Sequence, residues 1–152
     1  MKKLLMTITS IALLLTLSLS LVACSSFGKV EKALEGIGYA RIQNSDEADD
    51  LKEESDVAIT MHIFSNKDSL GLTEIAKLNT VLVLEFKATD EMLEYYKDSA
   101  TLRGFLSDIK EDGSAKEFYD SLVEKGYANG NCLVISSNPI SANEVKTAIK
   151  NA

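Results

Sequence analysis

An uncharged apolar segment at the N-terminus limits which residues are available to fold. Lys2 and Lys3 form a short basic start, and the segment from Leu4 to Leu21 carries no charge. Such a segment enters the export machinery with its basic end on the cytoplasmic side. It is also long enough to cross a bilayer as an uncleaved helix, and an ordinary secretory signal has a similar layout. In each case a folded domain has to be built from the residues that follow.

The apolar segment ends in Leu21-Val22-Ala23-Cys24, and two serines follow. This tetrapeptide resembles the lipobox of bacterial lipoproteins, in which small residues precede the cysteine that carries the lipid. The resemblance covers residues 1–24. It implies that the sulfur of Cys24 receives a diacylglyceryl group and that a signal peptidase cleaves between Ala23 and Cys24. Because one acyl chain binds a membrane weakly and two or more bind it stably, we expect a lipid-anchored protein at the cell membrane, outside the cytoplasm.

The sequence predicts three segments: a signal peptide over 1–23, Cys24 with a short tether that ends at residue 28, and one domain over 29–152. Cleavage before Cys24 leaves 129 of the 152 residues. That length is enough for one domain that buries a core without disulfides or metals. Since Cys24 carries the lipid, Cys132 has no partner for an intrachain disulfide. Its apolar neighbours predict a buried, unreactive thiol.

The charge of the mature chain excludes one class of partner. The leader holds two of the 16 basic residues and none of the 23 acidic ones, so its removal changes the net charge from −7 to −9. A net acidic surface repels phosphate backbones, which excludes nucleic acid as a partner. It also repels anionic lipids, so we expect the acyl chains to hold the protein at the membrane.

Hydrophobic periodicity predicts an α+β fold. Helices are predicted at 30–37 and from Thr89, Ser114 and Ser141. Strands are predicted at 57–64, 80–87 and 132–136, with a short one at 39–43. Helices and strands do not alternate strictly, which favours one small domain with about four strands in a mixed or antiparallel sheet and helices packed on one face. This layout resembles ferredoxin-like sandwiches by analogy.

Two similar segments predict where helices end. LEGIGYA (34–40) and LVEKGYA (122–128) each place a glycine at a predicted helix end, ahead of a tyrosine. Gly38 and Gly126 therefore serve as helix stops. A helix–Gly–Tyr–strand unit after a lipid anchor is similar to small lipoproteins of Gram-positive bacteria, and that resemblance implies no particular activity.

Few residues are candidates for catalysis or metal binding. His62 is the single histidine and falls on the face of its strand opposite Ile59 and Met61, so we expect it at the surface or a sheet edge. One histidine and one free cysteine do not make a zinc site, and the acidic run at 46–56 lacks the turn glycine of a calcium loop. We expect no catalytic residue, no metal and no cofactor. Tyr95 and Tyr96 fit core packing better than a sugar-stacking surface.

Three functions are compatible with these residues. The first is a non-enzymatic binding or accessory domain, with an envelope protein, a cell-wall component or a small solute as partner. The second is an envelope hydrolase that uses carboxylates. The third is a structural envelope lipoprotein whose sheet edge pairs with another chain. A cleft lined by two close acids favours the hydrolase, and an uncovered strand edge or exposed apolar patch favours an interaction protein.

Overall fold

The computed structural model describes residues 25–45, 57–66, 79–106, 109 and 113–152. The leader, Cys24 and the acidic run at 46–56 lie outside the described residues, as do residues 67–78 before the strand at residue 80. Within these described ranges, none of the helices combines the length and the apolar character needed to cross a bilayer.

Helices and strands follow one another without strict alternation. In chain order they are α1 (Ser26–Gly36), β1 (Tyr39–Ser45), β2 (Ile59–Asn66), β3 (Thr80–Phe86), α2 (Thr89–Asp98), α3 (Ala100–Phe105), α4 (Ala115–Glu124), β4 (Ala128–Asn129), β5 (Cys132–Ser136) and α5 (Pro139–Lys150). The predicted α+β class is confirmed.

The strands form one open antiparallel sheet in the order β1-β2-β3-β5-β4. The described part therefore has five strands where about four were predicted. β4 was missed because two residues are too short to show a period. In β1 the register shifts between Arg41 and Gln43, which makes a β-bulge at Ile42. A bulge bends its strand locally and increases the twist.

Helices cover both faces of the sheet, so the prediction of helices on one face was wrong. Val81 and Val83 of β3 belong to a core cluster with residues of α1 and α5. Leu84 and Phe86, which point to the other face, pack with residues of α2, α3 and α4. The physical reason is visible in β3, whose apolar residues are continuous, because a sheet covered on both faces needs apolar side chains on both.

The ends of the helices follow from local capping. Ser25 caps α1 by accepting a hydrogen bond from the Gly28 amide at 3.0 Å, so this helix begins four residues before the predicted start at Val30. Phe27, which was predicted to lie in the tether, consequently belongs to the core. The predicted capping box of Ser114 with Glu117 is confirmed at α4.

At α5 the predicted start at Ser141 was wrong. The side chain of Asn138 accepts from the Ile140 amide at 2.9 Å, and the helix starts at Pro139. Both predicted glycine stops are confirmed, since Gly38 has φ +88° and Gly126 has φ +76°. Left-handed φ values of this size are accessible to glycine at little cost.

Candidate functional site

The single histidine lies in a sealed layer between the sheet and α1. His62 of β2 is 6% exposed, so the prediction of a surface or edge position was wrong. The ring of Phe27 stacks on the imidazole with centroids 3.8 Å apart and ring planes at 22°. Because α1 begins earlier than its apolar stripe predicted, its first turn reaches over β2 and covers the imidazole.

One carboxylate faces this histidine. Nε2 of His62 donates to Oε2 of Glu85 on β3 at 2.9 Å. The other ring nitrogen, Nδ1, is buried and has no hydrogen-bond partner among the described residues. Above the stack, the Arg41 guanidinium lies 5.6 Å from the Phe27 ring centroid and 3.4 Å from the Glu31 carboxylate. These contacts tie α1 to the sheet through both charge and ring stacking.

Cys132 lies beside the same carboxylate but is not a usable nucleophile. It pairs directly with Glu85 in the β3–β5 ladder and is completely buried. Burial, with a smaller contribution from the negative charge of Glu85, raises the pKa of the Cys132 thiol from 9.0 to about 12. The thiolate is the reactive form, so this thiol is inert at neutral pH, as predicted. Cysteine, glutamate and histidine therefore lie on adjacent strands without forming a reactive triad.

Other sequence candidates also belong to the core. Tyr95 and Tyr96 are each 1% exposed, which confirms core packing. Their rings pack against Phe86 and Phe118, with centroid separations of 5.6 and 4.8 Å. Among the residues that the structure describes, no group of three histidine, cysteine or carboxylate side chains is placed to hold a metal ion.

The opposite face of the sheet contains an apolar cavity of about 180 Å³. Its inner wall consists of buried side chains from β3, α2, α3 and β5: Leu84, Tyr95, Leu102 and Ile135. No charged side chain lines it.

The cavity opens to solvent beside α3. Exposed lining residues mark the mouth: Thr101, Phe105 and Ser137, with Leu82 and Thr80 partly exposed between them. Phe105 is 62% exposed, an unusual position for a large aromatic ring. The mouth thus carries an exposed aromatic ring, and the surface that the cavity presents is apolar.

Hydrogen bonds brace the sheet next to this mouth. The Ser137 hydroxyl accepts from the Thr80 amide at 3.1 Å and donates to its carbonyl oxygen at 2.9 Å. Nearby, three side chains donate to Oδ1 of Asn79: the Tyr39 hydroxyl at 3.2 Å, the Asn138 amide at 3.2 Å and the Ser141 hydroxyl at 3.0 Å. This network joins the starts of β1, β3 and α5, so one side of the mouth is fixed.

Sequence reasoning did not find this cavity. Its wall residues are of types common in any core. They come together because the chain breaks between α2 and α3 at Ser99, whose hydroxyl caps α3 by accepting from the Leu102 amide at 3.2 Å. The single available signal is the spacing of Leu102, Phe105, Leu106 and Ile109, which is typical of a helix with one apolar face. Comparison with protein families, curated proteins and solved structures finds no match to this chain.

Proposed function

We propose that the chain is a lipid-anchored, extracytoplasmic lipoprotein whose domain binds a partner or ligand without catalysing a reaction. One observation carries the binding role: the open cavity has apolar walls, whereas the histidine and the cysteine lie sealed on the other face of the sheet. A concave and mostly apolar pocket is the common form of a small-molecule binding site.

The leader supports the anchoring role. The segment from Leu4 to Cys24 has the layout of a lipoprotein signal, and α1 begins two residues after Cys24 at Ser26. A lipid on Cys24 therefore holds the domain close to the bilayer. Acyl chains stabilise such an anchor by about 0.8 kcal/mol for each buried CH₂ group, which exceeds the repulsion expected for an acidic domain when two chains are present.

The hydrolase alternative finds no support at the cavity. Glycosidic cleavage needs two carboxyl groups about 5 to 10 Å apart on either side of the bond. No carboxylate lines this cavity, and Glu85, which faces His62, lies on the other face of the sheet. A substrate bound at the cavity would meet no acid–base pair.

One observation favours the structural alternative as a second candidate. β1 is seven residues long, and no described strand pairs with its outer edge. Ile42 at the bulge is 50% exposed. An exposed edge of this length can add a strand from another chain. Substitution Ile42→Lys tests this candidate: a sheet-edge assembly should dissociate in analytical ultracentrifugation, whereas an unchanged sedimentation coefficient argues against it.

The two cysteines provide a matched test of anchoring. We expect Cys24→Ser to carry no lipid and to retain residues 1–23, because the sulfur is the attachment atom and cleavage follows lipid addition. The retained leader is apolar enough to hold the variant at the membrane, so the intact mass is the measurement. Cys132→Ser removes the other thiol and should keep both the cleavage before Cys24 and the added lipid. Added lipid and normal processing of the Cys24→Ser protein would contradict the proposal.

A further inference from the structure

We propose that the cavity beside α3 binds a small neutral molecule, which inserts one six-membered ring or about six carbons and leaves any polar end in the solvent outside the mouth. This ligand class rests on the proposed binding function and makes it specific. The site comprises the inner wall of Leu84, Leu102 and Ile135 and the rim of Thr101 and Ser137.

The volume sets the size of the inserted group. A water molecule occupies about 30 Å³ in the liquid, and a core cavity of about 150 Å³ accepts benzene. The observed 180 Å³ therefore holds about six heavy atoms. A membrane acyl chain is roughly twice that length or more, so most of it would remain outside the cavity.

The lining sets the charge of the ligand. A buried charge without a partner is strongly unfavourable, and this cavity offers no charged side chain to pair with one. The inserted group is therefore neutral. Any polar group on the ligand remains in water outside the mouth, while the exposed ring of Phe105 gains a contact when the mouth is occupied.

The test uses the full lipoprotein in lipid nanodiscs with labelled leucine and isoleucine methyl groups, titrated with benzyl alcohol. We expect methyl shifts at Leu84, Leu102 and Ile135, with a Kd of about 0.3 mM from the burial of six apolar atoms. Methyl groups of Leu34 and Ile149 lie in the other core cluster and serve as internal controls. Benzoate has the same ring with a negative charge, so we expect it to bind at least tenfold more weakly.

Two tryptophan variants on neighbouring strands separate the cavity from the rest of the sheet. Leu82 lines the cavity, and Ile63 pairs directly with it on β2 but does not line it. Leu82→Trp fills the cavity and should weaken benzyl alcohol binding at least tenfold, whereas Ile63→Trp should leave the Kd within twofold. If Leu82→Trp does not fold, Thr101→Trp at the exposed rim blocks the same mouth.

Several results would overturn the inference. One is that the cavity methyl groups do not shift at a benzyl alcohol concentration 10-fold above the expected Kd, and another is that methyl groups in both core clusters shift equally. A third is that benzoate binds as tightly as benzyl alcohol. The fourth is that the affinity for neutral alcohols keeps rising beyond about six carbons. The last result would assign the cavity to lipid chains. A protein that lacks lipid at Cys24 would contradict the anchoring proposal and leave this inference untouched. The methyl titration measures binding at the cavity whether or not Cys24 carries lipid.

Discussion

Phe27 joins the first turn of α1 to the sheet, and its removal should destabilise the whole domain. The side chain is 7% exposed, stacks on His62 at 3.8 Å and lies 6.4 Å from the Phe64 ring, centroid to centroid. Burial of a phenylalanine in a core is worth about 3 to 5 kcal/mol against alanine. Because Phe27→Ala also lets water reach the unpartnered Nδ1 of His62, which offsets part of the loss, we expect a cost of about 3 kcal/mol.

Urea unfolding and thermal melting measure this cost. For a domain of this size, 3 kcal/mol corresponds to a fall in Tm of about 12 °C. Phe105→Ala is the matched control, since Phe105 is 62% exposed and should change stability by less than about 0.5 kcal/mol. Equal Tm values for the two variants would refute the packing of α1 on β2. A large loss at Phe105 alone would show that the exposed ring is a core residue.

Two further predictions concern a glycine and a thiol. Gly126→Ala should lower the free energy of unfolding by about 2 kcal/mol or more, because φ is +76° and a Cβ would collide with the Lys146 carbonyl. Gly36→Ala is the control, since its Cβ meets no atom within 4 Å, and chemical denaturation should find it neutral or stabilising. Burial raises the pKa of the Cys132 thiol from 9.0 to about 12, so the unfolded chain loses this proton at lower pH than the folded protein. The stability that comes from the buried neutral thiol is therefore complete below pH 9 and is lost as the pH rises from 9 to 12. The urea midpoint of the natural protein should therefore fall more steeply between pH 9 and 11 than that of Cys132→Val, and parallel pH profiles would contradict the buried thiol.

Local signals predicted four of the five described strands and several helix ends. The period of two places Ile59 and Met61 on one face of β2, and the structure packs both on the α2–α4 side. Ser114 with Glu117 and the glycines at 38 and 126 are recognisable because capping and left-handed backbone depend on the residues themselves. The class of the fold followed from these elements.

Features that depend on distant residues were not predictable in the same way. His62 reads as a surface residue because a polar side chain opposite an apolar strand face normally meets water. Its burial depends on α1, which starts at Ser26 and brings Phe27 across the sheet. The apolar run from Val81 to Leu84 in β3 indicates a second covered face, whereas the irregular order of helices and strands favours helices on one face. The cavity lies where β3, β5 and α2 pack around α3, and no local sequence pattern predicts that packing.

The intact mass of the protein extracted from membranes tests the anchoring claim most directly. We expect a chain that begins at Cys24 and carries a diacylglyceryl group on that residue, and a proteolytic fragment should place all of the added mass there. A chain that retains residues 1–23, or one that begins elsewhere without added lipid, would contradict the claim that acyl chains hold this domain at the cell envelope.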